Sequence, residues 1–306
     1  MAEFQLCENS ITYIPDTDFY DKISLVAHNC YQVGEKGHED NVAFVKRLIA
    51  SGHYAMIEHY RFLFRVDIET FTLCCSFSNP YFTAFLNNGE CYISCSLRGL
   101  LDSYKEVKSH AFASVLIQSL PENVKTLCVP LERKAQHMEL VSNDEAKLCL
   151  NQYFYELSTY VTYQIITDRG VTHEIVRHRP CSFAQESTRY CNYTKDKFSN
   201  SLTFMKPLGY DENKEVYDSF YQKTADTYFQ LISNGAKPDF ARSVLPNSLK
   251  ASIMVTCSIQ EWRHIFELRC SEAAHPDIRR VMEMVRDDMK NRQLLTDDDP
   301  AVKIKY

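Results

Sequence analysis

Residues 159–178 read TYVTYQIITDRGVTHEIVRH. Eight of the first nine are β-branched or aromatic and fit a strand, because such side chains pack well on a pleated surface. Asp168-Arg169-Gly170 then reads as a turn and 171–178 as a short helix. Downstream, Pro180 ends that helix, since proline pushes the residue before it toward extended geometry. Residues 180–192 therefore read as an irregular loop. Residues 214–234 form a long amphipathic helix with Tyr217, Phe220, Tyr221, Tyr228 and Leu231 inward. Leu249, Ala251, Ile253 and Val255 alternate as a strand. Residues 259–270 and 275–290 follow as helices, the last striped by Ile278, Val281, Met282 and Val285.

Upstream, residues 61–68 (RFLFRVDI) place Phe62, Phe64, Val66 and Ile68 on one face of a half-buried strand. Residues 17–31 and 39–51 read as helices, the first capped by Asp16 or Thr17. In the second, Val42, Phe44, Val45, Leu48 and Ile49 share a face, and Gly52 ends it. The stretch from 70 to 155 mixes strand and helix without clear periodicity. The sequence shows no internal repeat and no low-complexity segment. Helices flank strands without regular βαβ alternation, so the class is α+β.

The chain has 306 residues, 45% of them hydrophobic, which suffices for one large core or two modest ones. Its formal net charge of -6 argues against a broad nucleic-acid-binding face but leaves room for one focused basic pocket. The opening MAEFQLCENS lacks the basic and apolar regions of a signal peptide, and no run reaches bilayer length. These features predict a cytoplasmic protein with no membrane partner. The 12 cysteines then read as reduced thiols. Cys74–Cys75 and Cys91–Cys95 lack zinc-ribbon spacing, so no metal is expected.

Against that acidic background, residues 177–190 (RHRPCSFAQESTRY) gather Arg177, His178, Arg179 and Arg189. A basic helix end with a Glu174–Arg177 pair at i, i+3 is the plainest reading, because a helix C-terminus favours cations. Gln185, Ser187, Thr188 and Tyr190 add hydroxyl and amide groups. Forked guanidiniums with such donors suit phosphate and planar carbonyl or imide edges. The pattern predicts an anionic ligand with several acceptor oxygens, such as a nucleotide. Three further stretches carry isolated polar groups: GHYAMIEH (52–59) with His53, Glu58 and His59, ARSVLP (241–246) with Arg242, and HIFELRC (264–270) with His264 and Arg269.

Taken together, these stretches resemble the flavin-dependent thymidylate synthases. That family's signature is Arg-His-Arg, seven residues, then Ser, matched here by Arg177-His178-Arg179 and Ser187. GHYAMIEH resembles its Gly-His-x-Ser/Thr-x-x-Glu-His element. ARSVLP resembles its Ala-Arg-x-x-Leu-Pro element, and EWRHIFELR its C-terminal helix ending in Leu-Arg. The resemblance implies a central, mostly antiparallel sheet packed with helices, in a single catalytic domain spanning 1–306 with a family-variable insertion at about 70–155. It implies methylation of dUMP to dTMP, with methylene tetrahydrofolate as carbon donor and NADPH reducing a bound FAD. It also implies a homotetramer with active sites shared between subunits.

Carried over by position, Arg269 is the catalytic candidate, contacting the uracil edge and stabilising negative charge there. Glu174, Arg177, Gln185, Ser187, Arg189 and Arg242 join Arg269 in holding dUMP, with Arg189 reaching across from a neighbouring subunit. His53, Glu58, Arg177, His178, Arg179, Gln185, Ser258, Gln260 and His264 line the FAD. Ser187 reads as a hydrogen-bonding residue, since no activating base stands at an evident spacing. The sequence departs from the family at Ala55, Ala184 and Gln260, where the family carries a polar or charged group, and at Pro180. Each departure removes one potential hydrogen bond, worth roughly 0.5–1.5 kcal/mol. Two alternatives stay open: a relative on the same scaffold that modifies a pyrimidine nucleotide differently, for example by hydroxymethylation, and a nucleic-acid-binding module.

Overall fold

Asp168 ends a strand and caps the helix that follows it. Its carboxylate accepts a hydrogen bond from Val171 N at 2.7 Å, satisfying one of the donors a helix start leaves open. The helix therefore begins at Arg169, not after a turn at 168–170. The computed structural model describes residues 3–34, 36–76, 81–105, 110–118, 120–125 and 138–295. Its strands are β1 (Glu3–Cys7), β2 (Ser10–Ile14), β3 (Arg61–Val66), β4 (Phe82–Asn87), β5 (Glu90–Ser96), β6 (Glu139–Val141), β7 (Tyr160–Asp168), β8 (Ser182–Gln185), β9 (Ser201–Met205) and β10 (Lys250–Ser258). Its helices are α1 (Phe19–Tyr31), α2 (His38–Ala50), α3 (Ile68–Cys75), α4 (Leu97–Lys105), α5 (His110–Gln118), α6 (Glu122–Lys125), α7 (Asn143–Cys149), α8 (Gln152–Ser158), α9 (Arg169–Ile175), α10 (Lys214–Ser233), α11 (Pro238–Ala241), α12 (Ile259–Arg269) and α13 (Pro276–Asn291).

The architecture is α+β, with antiparallel sheets packed against helices. The strands divide between two four-stranded sheets, ordered β2-β7-β10-β8 and β4-β5-β3-β6, and a separate parallel pair, β1-β9. Every neighbour in the four-stranded sheets is antiparallel. In the first of them, alternation sorts side chains to two faces. Val161, Tyr163, Ile165, Ile253, Val255 and Cys257 bury themselves beneath Val171, Trp262 and Val281 of α9, α12 and α13. Ile14, Ala184 and Met254 point the other way, against Val26 of α1. The α1 helix is also pinned there by Asn29, whose amide donates to the carbonyls of Ala184 (2.7 Å) and Ser252 (3.1 Å).

Other expectations shift in detail. The 180–192 stretch contains β8, with Ser182, Phe183, Ala184 and Gln185 in register against Thr256, Val255, Met254 and Ile253. Asp18, not Asp16 or Thr17, caps α1. Ile68 leaves the strand pattern, because Asp67 caps α3 just before it and turns its side chain out to 65% exposure. On α10, Tyr221 and Tyr228 are fully buried but Phe220 is 49% exposed. All cysteines among the described residues are free thiols. No helix among the described residues is long and apolar enough to cross a membrane.

Candidate functional site

The two-turn helix α9 organises the site. Its N-terminus is fixed by Asp168 and by the loop before β10, whose Asn247 carbonyl accepts from Arg169 N at 2.8 Å. Gly170 permits that approach: a Cβ there would lie 3.1 Å from Asp168 Oδ1 and 3.6 Å from the Asn247 side chain. Beneath the helix, the buried Thr172 hydroxyl accepts from Gln185 Nε2 at 2.9 Å, tying α9 to β8.

At the C-terminal end of α9, Arg269 from the last turn of α12 meets two of the expected site residues, and Glu174 pairs with it and not with Arg177. Its Nε donates to His178 Nε2 at 3.0 Å, Nη1 to Glu174 Oε2 at 3.3 Å, and Nη2 to the Glu174 carbonyl at 3.3 Å. A guanidinium has five N–H donors, so two remain for a ligand. The bond from Arg269 requires His178 Nε2 to be an unprotonated acceptor, which puts the imidazole proton on Nδ1, 3.9 Å from Glu261 Oε1. Burial, reinforced by the adjacent Arg269 charge, pulls the His178 pKa down to about 4, so the ring is neutral at physiological pH. Burial conversely raises the Glu261 carboxyl. The exposed His264 ring stands edge-on to His178, centroids 6.3 Å apart.

At the other end of α9, Arg169, Thr188, Asp239, Phe240, Arg242, Ser243 and Leu245 line a cleft of about 520 Å³. That volume is within the range typical of small-ligand sites. Glu174 and Arg169 are five residues apart on one helix, so the cleft and the Arg269 cluster are about 8 Å apart along its axis. The loop feeding Thr188 into the cleft is anchored by the buried Glu186, which accepts from Lys250 Nζ at 2.7 Å and from the Tyr193 hydroxyl at 3.1 Å.

The remaining expected residues are distributed unevenly. Arg177, Arg179, Arg189 and Arg242 are exposed and have no carboxylate partner among the described residues. The Arg189 guanidinium lies 5.4 Å from the Tyr190 ring centroid. Ser187 Oγ accepts from Arg189 N at 3.3 Å, a local turn contact. Ser258 is committed to structure: its hydroxyl caps α12, accepting from Glu261 N at 3.1 Å. Gln260, half-buried, follows two residues later. Glu58, in the 3-10 turn Met56–His59, ion-pairs with Arg98 and accepts from Ser182 Oγ at 3.2 Å. His53 is exposed, with Ser51 Oγ 3.4 Å from its Nδ1. Arg169, Phe240 and Arg98 went unread in the sequence. The sequence pattern puts Arg169 in a turn, and no spacing signal marks the other two.

Comparison with known proteins gives a context for this arrangement. The family model described as thymidylate synthase complementing protein matches residues 156–292, the stretch that contains β7, α9, β8, β10 and α12. The flavin-dependent thymidylate synthase of Geobacter sulfurreducens is 36% identical over 119 residues, covering 39% of this chain and 51% of the relative. That of Pyrococcus furiosus is 34% identical over 127 residues, 40% of this chain and 51% of the relative. That of Pyrococcus abyssi is 27% identical over 174 residues, 54% of this chain and 70% of the relative. The chain spans about half the length of the first two relatives. A solved UMP/dUMP methylase PolB from Streptomyces cacaoi aligns over 94% of this chain and 91% of that one, at 13% identity and a TM-score of 0.39. Over the stretch that builds α9 and its surroundings, the chain thus carries a family-level match to the flavin-dependent thymidylate synthases.

Proposed function

We propose that this chain is a flavin-dependent thymidylate synthase converting dUMP to dTMP, with methylene tetrahydrofolate as carbon donor and NADPH as reductant of FAD. The observation that carries this reading is Arg269, held by Glu174 and a neutral His178 with two N–H donors still free. Such a group polarises a uracil edge by hydrogen bonding and charge, with no covalent enzyme nucleophile. Glu174, Arg177, Gln185, Ser187, Arg189 and Arg242 hold the nucleotide on this reading, and the Arg169–Arg242 cleft is where its phosphate is compensated. Phe240, 70% exposed at the cleft, offers an aromatic edge beside it.

The residues fit a flavin dinucleotide in one respect that geometry supports: Arg177 and Arg179 carry charges that no carboxylate among the described residues neutralises, so a diphosphate would meet them unopposed. His53, Glu58, His178, Gln185, Ser258, Gln260 and His264 complete the cofactor's lining on this reading, Ser258 by fixing the start of α12. When bound, the reduced flavin supplies a hydride. His178 sets the orientation of Arg269 by accepting from its Nε, and Glu174 restrains the other two nitrogens. A homotetramer with shared sites belongs to the same proposal.

Anaerobic turnover of the purified chain with dUMP, methylene tetrahydrofolate, FAD and NADPH tests it, with products identified by mass spectrometry. dTMP is expected. A hydroxymethylated nucleotide would move the reading to another reaction on the same scaffold. Absence of any modified nucleotide from flavin-loaded protein would overturn it.

A further inference from the structure

The two four-stranded sheets obey one plan. In each, a central strand is antiparallel to both neighbours and runs straight into a helix: β10 into α12, β5 into α4. Thr256 of β10 stands between Thr162 of β7 and Ser182 of β8. Ser94 of β5 stands likewise between Leu63 of β3 and Thr83 of β4. Each inner neighbour leads into an aspartate that caps the next helix: Asp168, the last residue of β7, accepts from Val171 N, and Asp67, just after β3, from Thr70 N, both at 2.7 Å. Each carries a fourth strand in the same register, with Ile14 of β2 opposite Thr162 and Val141 of β6 opposite Leu63. The local sequences agree where strand meets helix: Val255-Thr-Cys-Ser-Ile259 and Ile93-Ser-Cys-Ser-Leu97.

The cores correspond as well. Val161, Tyr163, Ile165, Val255, Cys257, Ile259 and Trp262 form one cluster. Phe62, Phe64, Val66, Ile93, Cys95, Leu97 and Leu100, at the matching positions, form another. Strand β10 has nine residues and β5 seven, an even difference that keeps the same faces inward. The outer strands are exchanged: β2, which opens the first unit, lies on β7 of the second, and β6, which opens the second, lies on β3 of the first. The helices follow their strands, with α1 covering Met254 and Ala184, and α7 and α8 placing Ala146 and Phe154 over Tyr92 and Phe85.

We propose that residues 10–125 and 139–291 are two copies of one supersecondary unit, paired within the chain by exchange of their opening strands, and that only the second copy holds an anionic-ligand site. The first copy lends His53 and Glu58 to that one site but lacks the site's other parts at the matching positions. Counting from the capping aspartates, Ile68, Leu73 and Ser76 stand where the second copy has Arg169, Glu174 and Arg177. Counting from Ser96 and Ser258, Asp102 stands where His264 does. The excursion 186–249 that carries Ser187, Arg189 and Arg242 is replaced in the first copy by Asn88-Gly89, a two-residue hairpin turn with φ of 51° and 84°. Ile68 and Leu73 are 65% and 42% exposed where the second copy is charged.

The first copy instead serves as a built-in partner. Its turn at 56–59 docks on the second sheet, His59 Nδ1 lying 2.7 Å from Thr256 Oγ1 and Glu58 bridging Arg98 to Ser182. Arg98 stands at the position of Gln260 in the repeat, and its guanidinium pairs with the carboxylate that holds Ser182 of β8.

The site count rests on the proposed function; the pairing does not. Two measurements on the full chain separate them. FAD bound per chain is read from visible absorbance and dUMP from equilibrium dialysis. One of each per chain is expected, and two of either overturns the asymmetry. Independently, a protease site is placed within 126–137 and the folded protein is cut. The pieces are expected to elute together at the uncut position and to melt in one transition. Folded pieces that separate without denaturant overturn the exchange. Failure to bind either ligand, with the pieces still together, removes the functional reading and the site count while supporting the pairing.

Discussion

His178 couples the site to pH. Its folded pKa, about 4, is below the ordinary histidine value, so the unfolded chain binds more protons between about pH 6.5 and 4. Stability rises with pH across that window, and the stabilisation is complete above it. Wild-type thermal stability is therefore expected to fall as pH drops from 6.5 toward 4, by on the order of 2–3 kcal/mol from this residue. The fully buried His59, pulled down to about 3, adds to the same trend. His178→Asn should flatten the profile measurably; an unchanged slope in calorimetry would remove the assigned protonation state. Arg269→Lys keeps the charge but cannot reproduce the fork to His178 and Glu174. It should retain fold and bound flavin and lose at least 100-fold in turnover, roughly 2.7 kcal/mol of barrier. These residues were legible from sequence because each sits in a short motif. Arg169 and Phe240 were not, since what places them is the cleft formed when the Asn247 loop meets the start of α9.

At the scale of elements, the two aspartate caps allow a paired test. Asp168→Ala and Asp67→Ala each remove one helix cap and should each cost about 1 kcal/mol of stability. Only Asp168→Ala should weaken dUMP binding, because α9 carries the site at both ends and α3 carries none. Equal losses of binding in both variants, read by calorimetric titration, would contradict that division. The strand before 168 is readable from its β-branched run, but the junction is not, because Asp168-Arg169-Gly170 reads as a turn where Asp168 in fact caps α9 directly. Strand β8 is not readable either: Pro180 and a polar neighbourhood argue for a loop, and its four residues are held extended only by pairing with β10. The internal repeat escaped sequence reading for a related reason. It is preserved in register and in the positions that are buried, while residue identity survives mainly in VTCSI and ISCSL, and the 186–249 excursion in one copy destroys any fixed period.

For the whole molecule, exchanged strands make each sheet's integrity depend on the other half of the chain. Leu100 lies in the first unit's core, fully buried, and is not itself one of the candidate site residues. Truncation to alanine leaves a cavity worth about 2–5 kcal/mol. If the halves were independent, Leu100→Ala would lower one melting transition and leave the site-bearing half at its wild-type temperature. With β2 and α1 lying on the second sheet, loss of the first unit strips the cover from Met254 and Ala184 and removes the turn that holds Ser182. Calorimetry should therefore show one transition, lowered by on the order of 5 °C or more, with bound flavin released in the same interval. Two resolved transitions, the upper one retaining flavin, would show that the halves fold and hold ligand independently.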